Sequence, residues 1–454
     1  MHPRNPYRIP PDFRALADAY PPLEPCLISH SGSFSIDFKD ELSQRRLTEA
    51  LLHRDFGISL DVPMDRLCPP VSFHLLNYVL WIEDVIRSTD PLQSMPIVGI
   101  DIGTGASAIY PLLSCKLNPN FSFIATDIDK LSLNSASSNV ERNGLSERIK
   151  IYETMPGAPI FAPLDEDPGL RVDFTMCNPP FYRSREEVAA SADAKEFEPN
   201  AVCTGADVEM ITLGGESSFV QRMVGESIRL GDRCRWYTSM LGKMSSLTEI
   251  VGALRAHAAS GHCLLLYEST NAPKQIENYG ITEFVQGSTR RWAVVWSFSD
   301  SRLPDAVARI GNPQLHSLMP PRNTLRQPFT FAGKDPQGLT DLLSVVLASV
   351  DGARVVKPEA GAPKLSCFHI SAAKNTWSRG ARRKLKLGAE DHDSLVPFTT
   401  NLVCSTQWII QEDGAWALEH QWIQGKDRPL FEAFSSHVSR KVTAALLPNP
   451  SSSF

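Results

Sequence analysis

Strand-like and helix-like segments alternate along this chain from residue 97 to about residue 300. Short apolar runs such as Ile97–Ile102 are typical of parallel strands that are buried on both faces. Such strands, joined by crossover helices, form a doubly wound α/β sheet, which binds its ligands at the carboxyl ends of the strands. We therefore predict a seven-stranded, Rossmann-like α/β domain. Its strands are predicted at 97–102, 121–126, 149–152, 172–177, 234–240, 262–268 and 291–299.

The first two predicted strands both end in residues suited to bind a nucleoside. Asp101 is followed by Gly103-Thr104-Gly105 and then by an apolar helical segment, but the third glycine of the dinucleotide pattern G-x-G-x-x-G is absent. Such a turn suits a cofactor without a pyrophosphate. The next strand ends at Asp127, on the order of 20 residues after Gly105, where a carboxylate can accept from both hydroxyls of a ribose. Asp129 is the alternative for this role.

Four consecutive residues, Asn178-Pro179-Pro180-Phe181, follow the predicted strand 172–177. Prolines fix φ and have no N–H, and the residue before a proline is held extended, so the Asn178 side chain has a set direction. An amide oxygen, a carbonyl oxygen and an aromatic ring together suit a planar group that bears an NH₂. A ribose site beside such a group indicates S-adenosylmethionine as cofactor and methyl transfer to nitrogen. We call these four residues the NPPF segment.

The composition of the 454 residues sets wider limits. This length predicts two or more domains. The net charge of −6 means that any nucleic-acid binding must depend on local patches. None of the nine cysteines stands in a C-x-x-C pair, so neither a zinc site nor a disulfide framework is indicated, and we predict no metal. We also expect no membrane span and no signal peptide.

Five segments are predicted along the chain. Residues 1–64 form an N-terminal helical extension, 65–300 the methyltransferase domain, 301–327 a proline-rich linker, 328–447 a smaller α+β domain and 448–454 a disordered tail. The C-terminal domain contains a basic run next to an aromatic residue, which is typical of an RNA-binding surface. Its candidate contact residues are Arg379, Arg382, Arg383 and Lys384.

An ordered set of motifs over roughly residues 1–300 resembles the methyltransferase-like protein 16 family. These are RNA adenine-N6 methyltransferases related to a bacterial ribosomal-RNA enzyme. The resemblance implies S-adenosylmethionine as methyl donor, U6 small nuclear RNA as principal substrate and a nuclear location, with the cytoplasm as the alternative. It is carried by His2-Pro3-Arg4-Asn5, Leu67-Cys68-Pro69-Pro70, Asn77-Tyr78, Trp81-Ile82-Glu83-Asp84, Ile102 to Ser107, the NPPF segment, Gly214-Gly215-Glu216, Arg235-Trp236-Tyr237, Met240 to Lys243 and Arg291-Trp292-Ala293.

The resemblance also implies roles for single residues. Gly103, Gly105 and Ser107 belong to the cofactor turn and Asp127 binds the ribose. Asn178 lies between the cofactor and the target amine, and Phe181 stacks on the adenine. The family has an arginine shortly before Asn-Tyr, where His74 is the nearest basic candidate here. The lysine-containing loop of vertebrate members corresponds to Thr154–Pro159, which contains no lysine, so regulation by that loop is not expected. The implied RNA contacts are Arg4, Arg8, Lys243 and Arg291.

Three other functions fit parts of this pattern. Release-factor methyltransferases hold a glutamine amide in a similar way, but their motif is Asn-Pro-Pro-Tyr, whereas this chain has Phe181 in place of the tyrosine. A DNA adenine methyltransferase would have to read a duplex and extrude its base. A catalytically dead RNA-binding protein is the third alternative, against which the intact D-x-G-x-G and NPPF patterns argue.

Overall fold

The computed structural model describes residues 1–30, 32–67, 74–89, 96–188, 206–260, 274–286, 289–329, 335–356, 367–378, 380–381, 383 and 400–446. The chain divides into two compact units. The first comprises Met1–Ser299 and Val307–Pro320, and the second comprises Asp300–Ala306 and Pro321–Phe454. The predicted linker 301–327 is thus shared between the units. The predicted strand 262–268 and tail 448–454 lie outside the described residues, and the domain limits stay predictions.

The helices and strands are numbered here in chain order. The helices are α1 (Phe13–Ala19), α2 (Glu41–Phe56), α3 (His74–Thr89), α4 (Ile109–Leu117), α5 (Lys130–Arg142), α6 (Ala162–Glu166), α7 (Asp207–Met210), α8 (Gly215–Leu230), α9 (Met244–Ser260), α10 (Asp305–Ala308), α11 (Pro336–Ala348) and α12 (Arg428–Leu446). The strands are β1 (Leu27–His30), β2 (Ser33–Ile36), β3 (Ile97–Ile102), β4 (Phe121–Asp127), β5 (Ile149–Glu153), β6 (Val172–Cys177), β7 (Cys234–Leu241), β8 (Asn278–Gln286), β9 (Thr289–Ser297), β10 (Thr324–Phe329), β11 (Ala353–Val356), β12 (Phe368–Ala372), β13 (Leu402–Ile410) and β14 (Trp416–Gln424).

The first unit is built on a seven-stranded sheet with the order β5-β4-β3-β6-β7-β9-β8, which confirms the predicted fold class. The first five strands of this order are parallel, whereas β9 is antiparallel to both β7 and β8. We had expected crossover helices throughout. Only two residues separate β8 from β9, and so short a connection permits antiparallel pairing alone. The strand β8 was not predicted.

The N-terminal extension is helical, as predicted, with the hairpin β1–β2 between its two helices. Asp12 caps α1 by accepting from the N–H groups of Arg14 and Ala15, and Asp40 caps α2 by accepting from Ser43 N–H. The helix α2 ends at Phe56 and is followed by Gly57, whose φ of 59° is left-handed and therefore suits glycine. The sequence thus specifies locally where both helices begin and where α2 ends.

The second unit is α+β, as predicted. Its five-stranded antiparallel sheet has the order β10-β14-β13-β12-β11. The helices α11 and α12 contribute apolar side chains such as Leu343 and Phe434 to one core with Trp377, Trp408 and Trp422. The strands β10 and β11 were not predicted. Among the helices described, none is long and apolar enough to cross a bilayer.

Candidate active site

The carboxyl ends of three neighbouring strands bring the predicted site residues together. The strand β3 pairs in parallel with β4 and β6, and Ile102 lies opposite both Thr126 and Cys177. The residues that follow these positions are Gly103, Asp127 and Asn178, so they meet at one edge of the sheet. This is the edge at which the sequence placed the site.

The glycine turn has the backbone that its sequence predicts. Gly103 and Gly105 have φ values of 69° and 64°, which an L side chain rarely adopts. The N–H groups of Gly103 and Thr104 both donate to the Thr126 carbonyl at 2.9 Å, and these bonds attach the turn to β4. Ser107 is buried where the turn leads into α4.

Three backbone N–H groups hold the Asp127 carboxylate at the end of β4. Gly105 N–H donates to Oδ2 at 2.9 Å, and the N–H groups of Ile128 and Asp129 donate to Oδ1 at 2.8 and 3.0 Å. Burial nevertheless raises the pKa of Asp127. Asp129 instead caps α5 through Ser132 N–H and pairs with Arg66 at 3.0 Å. The geometry therefore favours Asp127 as the ribose ligand.

Asp101 is a buried acid with no well-formed hydrogen bond. Only 1% of the residue is exposed, and neither carboxylate oxygen has a partner among the described residues. Burial raises its pKa to about 7, although the nearby Thr104 hydroxyl opposes this shift. The Thr104 hydroxyl also lacks a partner there. Unpaired buried acceptors are costly unless a ligand supplies donors. The ammonium and ribose hydroxyls of S-adenosylmethionine are such donors, so the residues at this turn fit that cofactor.

Asn178 presents a second unpaired acceptor. Its side-chain oxygen is buried and has no hydrogen-bond partner among the described residues. The residue that fixes the strand end beside it belongs to the Asn77-Tyr78 motif, but sequence reasoning gave it no role. Tyr78 of α3 is fully buried, accepts from Cys177 N–H at 3.3 Å and is bonded to Thr238 of β7. Because it has no partner among the described residues, the Asn178 amide oxygen is available to accept a hydrogen bond from an amine.

Phe181 is held by two residues of other elements. The Arg291 guanidinium lies 5.2 Å from the ring centroid, a cation–π contact. A methyl group on Gly242 would come within 2.8 Å of Phe181 Cδ1, so only glycine fits against this ring. The buried carboxylate of Glu216 accepts from the N–H groups of Gly242 and Lys243 at 2.7 and 2.8 Å and orients this turn. Glu216 and Gly242 carried no predicted role.

The predicted RNA contacts are spread over several places. Lys243 lies near the NPPF segment, bonded to Glu187 at 2.6 Å and 5.5 Å above the Tyr182 ring. Arg4 is paired with Glu83 and Asp84 of α3, and Arg8 is exposed. Arg383 is exposed, whereas Arg379, Arg382 and Lys384 lie outside the described residues, as does the side chain of His74. In the described part of the chain, no group of His, Cys, Asp or Glu side chains is placed to hold a metal ion.

A Rossmann-like sheet edge with a carboxylate suited to a ribose, unpaired buried acceptors and an aromatic ring close along the chain is typical of S-adenosylmethionine-dependent methyltransferases that act on planar amines. Residues 1–300 match a family model described as RNA methyltransferase. The chain belongs to this family, and the predicted family is confirmed.

Individual relatives agree with this assignment. The chain is 40% identical over 304 residues to RNA N(6)-adenosine-methyltransferase METTL16 of Homo sapiens. This match covers 66% of this chain and 51% of that protein. It thus spans about half the length of that relative. It is 32% identical over 407 residues to the U6 small nuclear RNA (adenine-(43)-N(6))-methyltransferase of Schizosaccharomyces pombe, covering 89% of this chain and 94% of that one.

Solved structures show the same similarity. The catalytic domain of human METTL16 in complex with the MAT2A 3′UTR hairpin 1 is 40% identical, with a TM-score of 0.57, and the match covers 66% of this chain and 96% of that one. The N-terminal domain of human METTL16 in complex with SAH is 39% identical, with a TM-score of 0.53, and the match covers 66% of this chain and 99% of that one.

Proposed function

We propose that this chain transfers a methyl group from S-adenosylmethionine to the exocyclic N6 of an unpaired adenosine in RNA, with U6 small nuclear RNA as the substrate. The observation that carries this proposal is the buried, unpaired side-chain oxygen of Asn178 at the end of β6, close along the chain to Phe181. The relative that matches along 94% of its own length acts on U6 small nuclear RNA, which supports this choice of substrate.

The residues of the site divide the work between donor and acceptor. S-adenosylmethionine, when bound, supplies an electrophilic methyl group. Asp127 holds the ribose and Asp101 the ammonium of this donor. Asn178 Oδ1 and the Pro179 carbonyl accept hydrogen bonds from the adenine amine, while Pro180 keeps the backbone fixed. Phe181 stacks on the base.

The two acceptors also favour the reaction itself. The lone pair of the adenine amine is delocalised into the ring. Hydrogen bonds to the Asn178 and Pro179 oxygens favour a pyramidal nitrogen and stabilise the positive charge that develops there. The methylated amine then releases a proton to water, so the chain needs to align the two reactants but needs no strong general base. Because the base must leave its stack, unpaired or looped RNA is the expected substrate.

Basic residues around the site and in the second unit are proposed to bind the rest of the RNA. Lys243 and Arg291, next to the NPPF segment, and Arg4 and Arg8 of the N-terminal extension contact the RNA backbone. The second unit adds RNA affinity through its basic run at Arg379, Arg382, Arg383 and Lys384. The U6 relatives imply a role in RNA processing. We place the protein in the nucleus, where a U6 RNA substrate would be processed.

Methyl incorporation into three acceptors tests this function. The acceptors are a U6 RNA transcript, a glutamine-containing release-factor peptide and an adenine-containing DNA duplex, each offered with labelled S-adenosylmethionine. We expect label in the RNA alone, recovered as N6-methyladenosine after digestion. A U6 transcript in which the methylated adenosine is replaced by guanosine is the control. Label in the peptide or the DNA, with none in the RNA, would contradict the proposal.

A further inference from the structure

The carboxylate of Glu209, in α7, lies beside the glycine turn, and the proposed function does not use it. Its Oε2 accepts from the N–H groups of Leu67 and Ala206 at 3.0 and 2.9 Å. Its Oε1 points toward the turn, because a methyl group on Gly105 would lie 3.7 Å from it. In the described part of the chain, no hydrogen bond to Oε1 is found. Glu209 therefore offers the turn an unused acceptor.

The electrostatics of this position favour a ligand that donates a hydrogen bond. Burial raises the pKa of Glu209, and the neighbouring Asp127 carboxylate adds to this effect. The positive charge of Arg66 lowers the pKa of Glu209, but the Arg66 guanidinium forms ion pairs with Asp129 and Asp65. Two partly desolvated carboxylates beside one glycine turn are both stabilised when the two hydroxyls of a ribose each donate a hydrogen bond to one of them.

The same segment also holds the residue that follows Phe181. Tyr182 N–H donates to the Met210 carbonyl at 3.0 Å, and Thr212 N–H donates to the Tyr182 carbonyl at 2.9 Å. The segment 206–212 thus connects the glycine turn, through Glu209, to the exit of the NPPF segment. A ligand bond to Glu209 Oε1 would restrain both.

We propose that Glu209 is a second donor-binding carboxylate, which accepts a hydrogen bond from a ribose hydroxyl of the methyl donor and thereby couples donor binding to the placement of Phe181. This inference rests on the proposed function, because it takes S-adenosylmethionine as the ligand of the turn. The juxtaposition of Glu209 Oε1, Gly105 and Asp127 supports it.

The substitutions Glu209→Gln and Glu209→Ala separate the two halves of the inference. Glutamine retains one oxygen for the N–H groups of Leu67 and Ala206 but places an NH₂ where Oε1 accepts. Alanine removes both contacts. Glu147→Gln, at an exposed glutamate of the same unit, is the matched control. The probe is S-adenosylhomocysteine, whose binding is measured by calorimetry on the full chain, together with the thermal midpoint and RNA affinity.

We expect Glu209→Gln to weaken S-adenosylhomocysteine binding about tenfold, the loss of one charged hydrogen bond, with an unchanged thermal midpoint and RNA affinity. Glu209→Ala should show the same loss and also a lower kcat, because the segment 206–212 is released. The Glu147→Gln control should behave as the wild type in every measurement.

Two results would overturn the inference. One is wild-type binding of S-adenosylhomocysteine by Glu209→Gln. The other is a thermal midpoint that falls equally in both variants, which would assign Glu209 a structural role alone. The calorimetry requires neither RNA nor turnover. A wild-type chain that binds S-adenosylhomocysteine but methylates no RNA would therefore contradict the proposed function and leave the test of Glu209 intact.

Discussion

At the scale of single residues, the site is defined by polar groups that the protein buries and leaves unpaired. Asp101 and Asn178 stand at the ends of neighbouring strands, and each has a buried oxygen without a partner in the described part of the chain. A buried oxygen without a partner lowers the stability of the free protein by about 1–3 kcal/mol. A ligand that donates a hydrogen bond to this oxygen removes the loss, so two such oxygens at one sheet edge indicate a binding site. In the proposed function, Asp101 binds the methyl donor and Asn178 binds the acceptor amine.

The pH dependence of donor binding tests Asp101. Its pKa of about 7 means that the free protein holds this acid mostly protonated at pH 6. Because only the carboxylate pairs with the donor's ammonium, affinity for S-adenosylhomocysteine should rise with pH and level off above about pH 7. Calorimetry between about pH 5.5 and 8.5 measures this. Asp101→Asn should bind weakly at every pH, and an equal slope in both proteins would refute the role of Asp101.

The contact between Gly242 and Phe181 gives a second residue-scale prediction. In Gly242→Ala the new methyl group would clash with the Phe181 ring at 2.8 Å and displace it. We expect kcat/KM for RNA to fall by about tenfold or more, with S-adenosylhomocysteine affinity unchanged, because a small displacement of a positioning group is costly. Gly252→Ala is the control, since a methyl group there meets open space. Unchanged methylation by Gly242→Ala would show that Phe181 needs no fixed position.

At the scale of elements, the site lies at the end of β3 because this strand lies between β4 and β6 in the interior of the sheet. Apolar runs and glycine turns are local patterns, so β3 and β6 and the turns that follow them could be predicted from sequence. The strands β10 and β11 could not, because they are short, largely exposed edge strands. The strand β8 contains Gly280, which packs against Ala308, a contact that no local pattern indicates.

The supporting residues of the site were missed for a related reason. The Cys177 N–H group donates a hydrogen bond to the Tyr78 hydroxyl, although the two residues are 99 positions apart in the chain. Glu209 accepts a hydrogen bond from the N–H group of Leu67 and Glu216 from that of Gly242, and both donors lie far away in the chain. Acidic residues are usually exposed, so a single glutamate gives no signal of this kind in sequence. Local patterns thus predicted that Gly103, Asp127 and Asn178 meet at one sheet edge, but they gave no indication of the residues that hold this edge in place.

The packing of β3 gives a prediction at this scale. A methyl group on Gly99 would lie 2.6 Å from Phe174 Cζ and 2.9 Å from Phe123 Cε1. Both rings belong to neighbouring strands and are buried, so Gly99→Ala should lower the free energy of unfolding by about 1–3 kcal/mol. Urea unfolding measures this change. Gly252→Ala again serves as the control and should be neutral or slightly stabilising. Equal stability of the two variants would contradict the close packing of β3.

At the scale of the whole molecule, the chain folds into two units, and each unit has its own hydrophobic core. Residues 307–320 belong to the first unit, where Leu315 and Met319 enter its core and Val307 accepts a hydrogen bond from Trp81. A fragment that ends at 320 therefore retains the complete first unit, whereas one that ends at 299 lacks part of its core. The second unit carries the predicted basic run.

Removal of the second unit should separate RNA affinity from chemistry. A fragment of residues 1–320 should bind U6 RNA about tenfold more weakly or worse than the full chain, because several phosphate contacts are lost. Its rate at saturating RNA should stay within about twofold, since the site lies in the first unit. Filter binding and methyl incorporation measure the two effects. Equal RNA affinity of fragment and full chain would contradict a role of the basic run.

The most direct test of the central claim is the single-turnover rate of N6-methyladenosine formation in U6 RNA by the wild type and by Asn178→Ala, with RNA affinity measured on the same preparations. If Asn178 holds the adenine amine, the substitution should reduce the rate by about a hundredfold or more and leave RNA affinity within about twofold. A wild type that forms no N6-methyladenosine, or a variant that loses affinity and rate equally, would contradict the account.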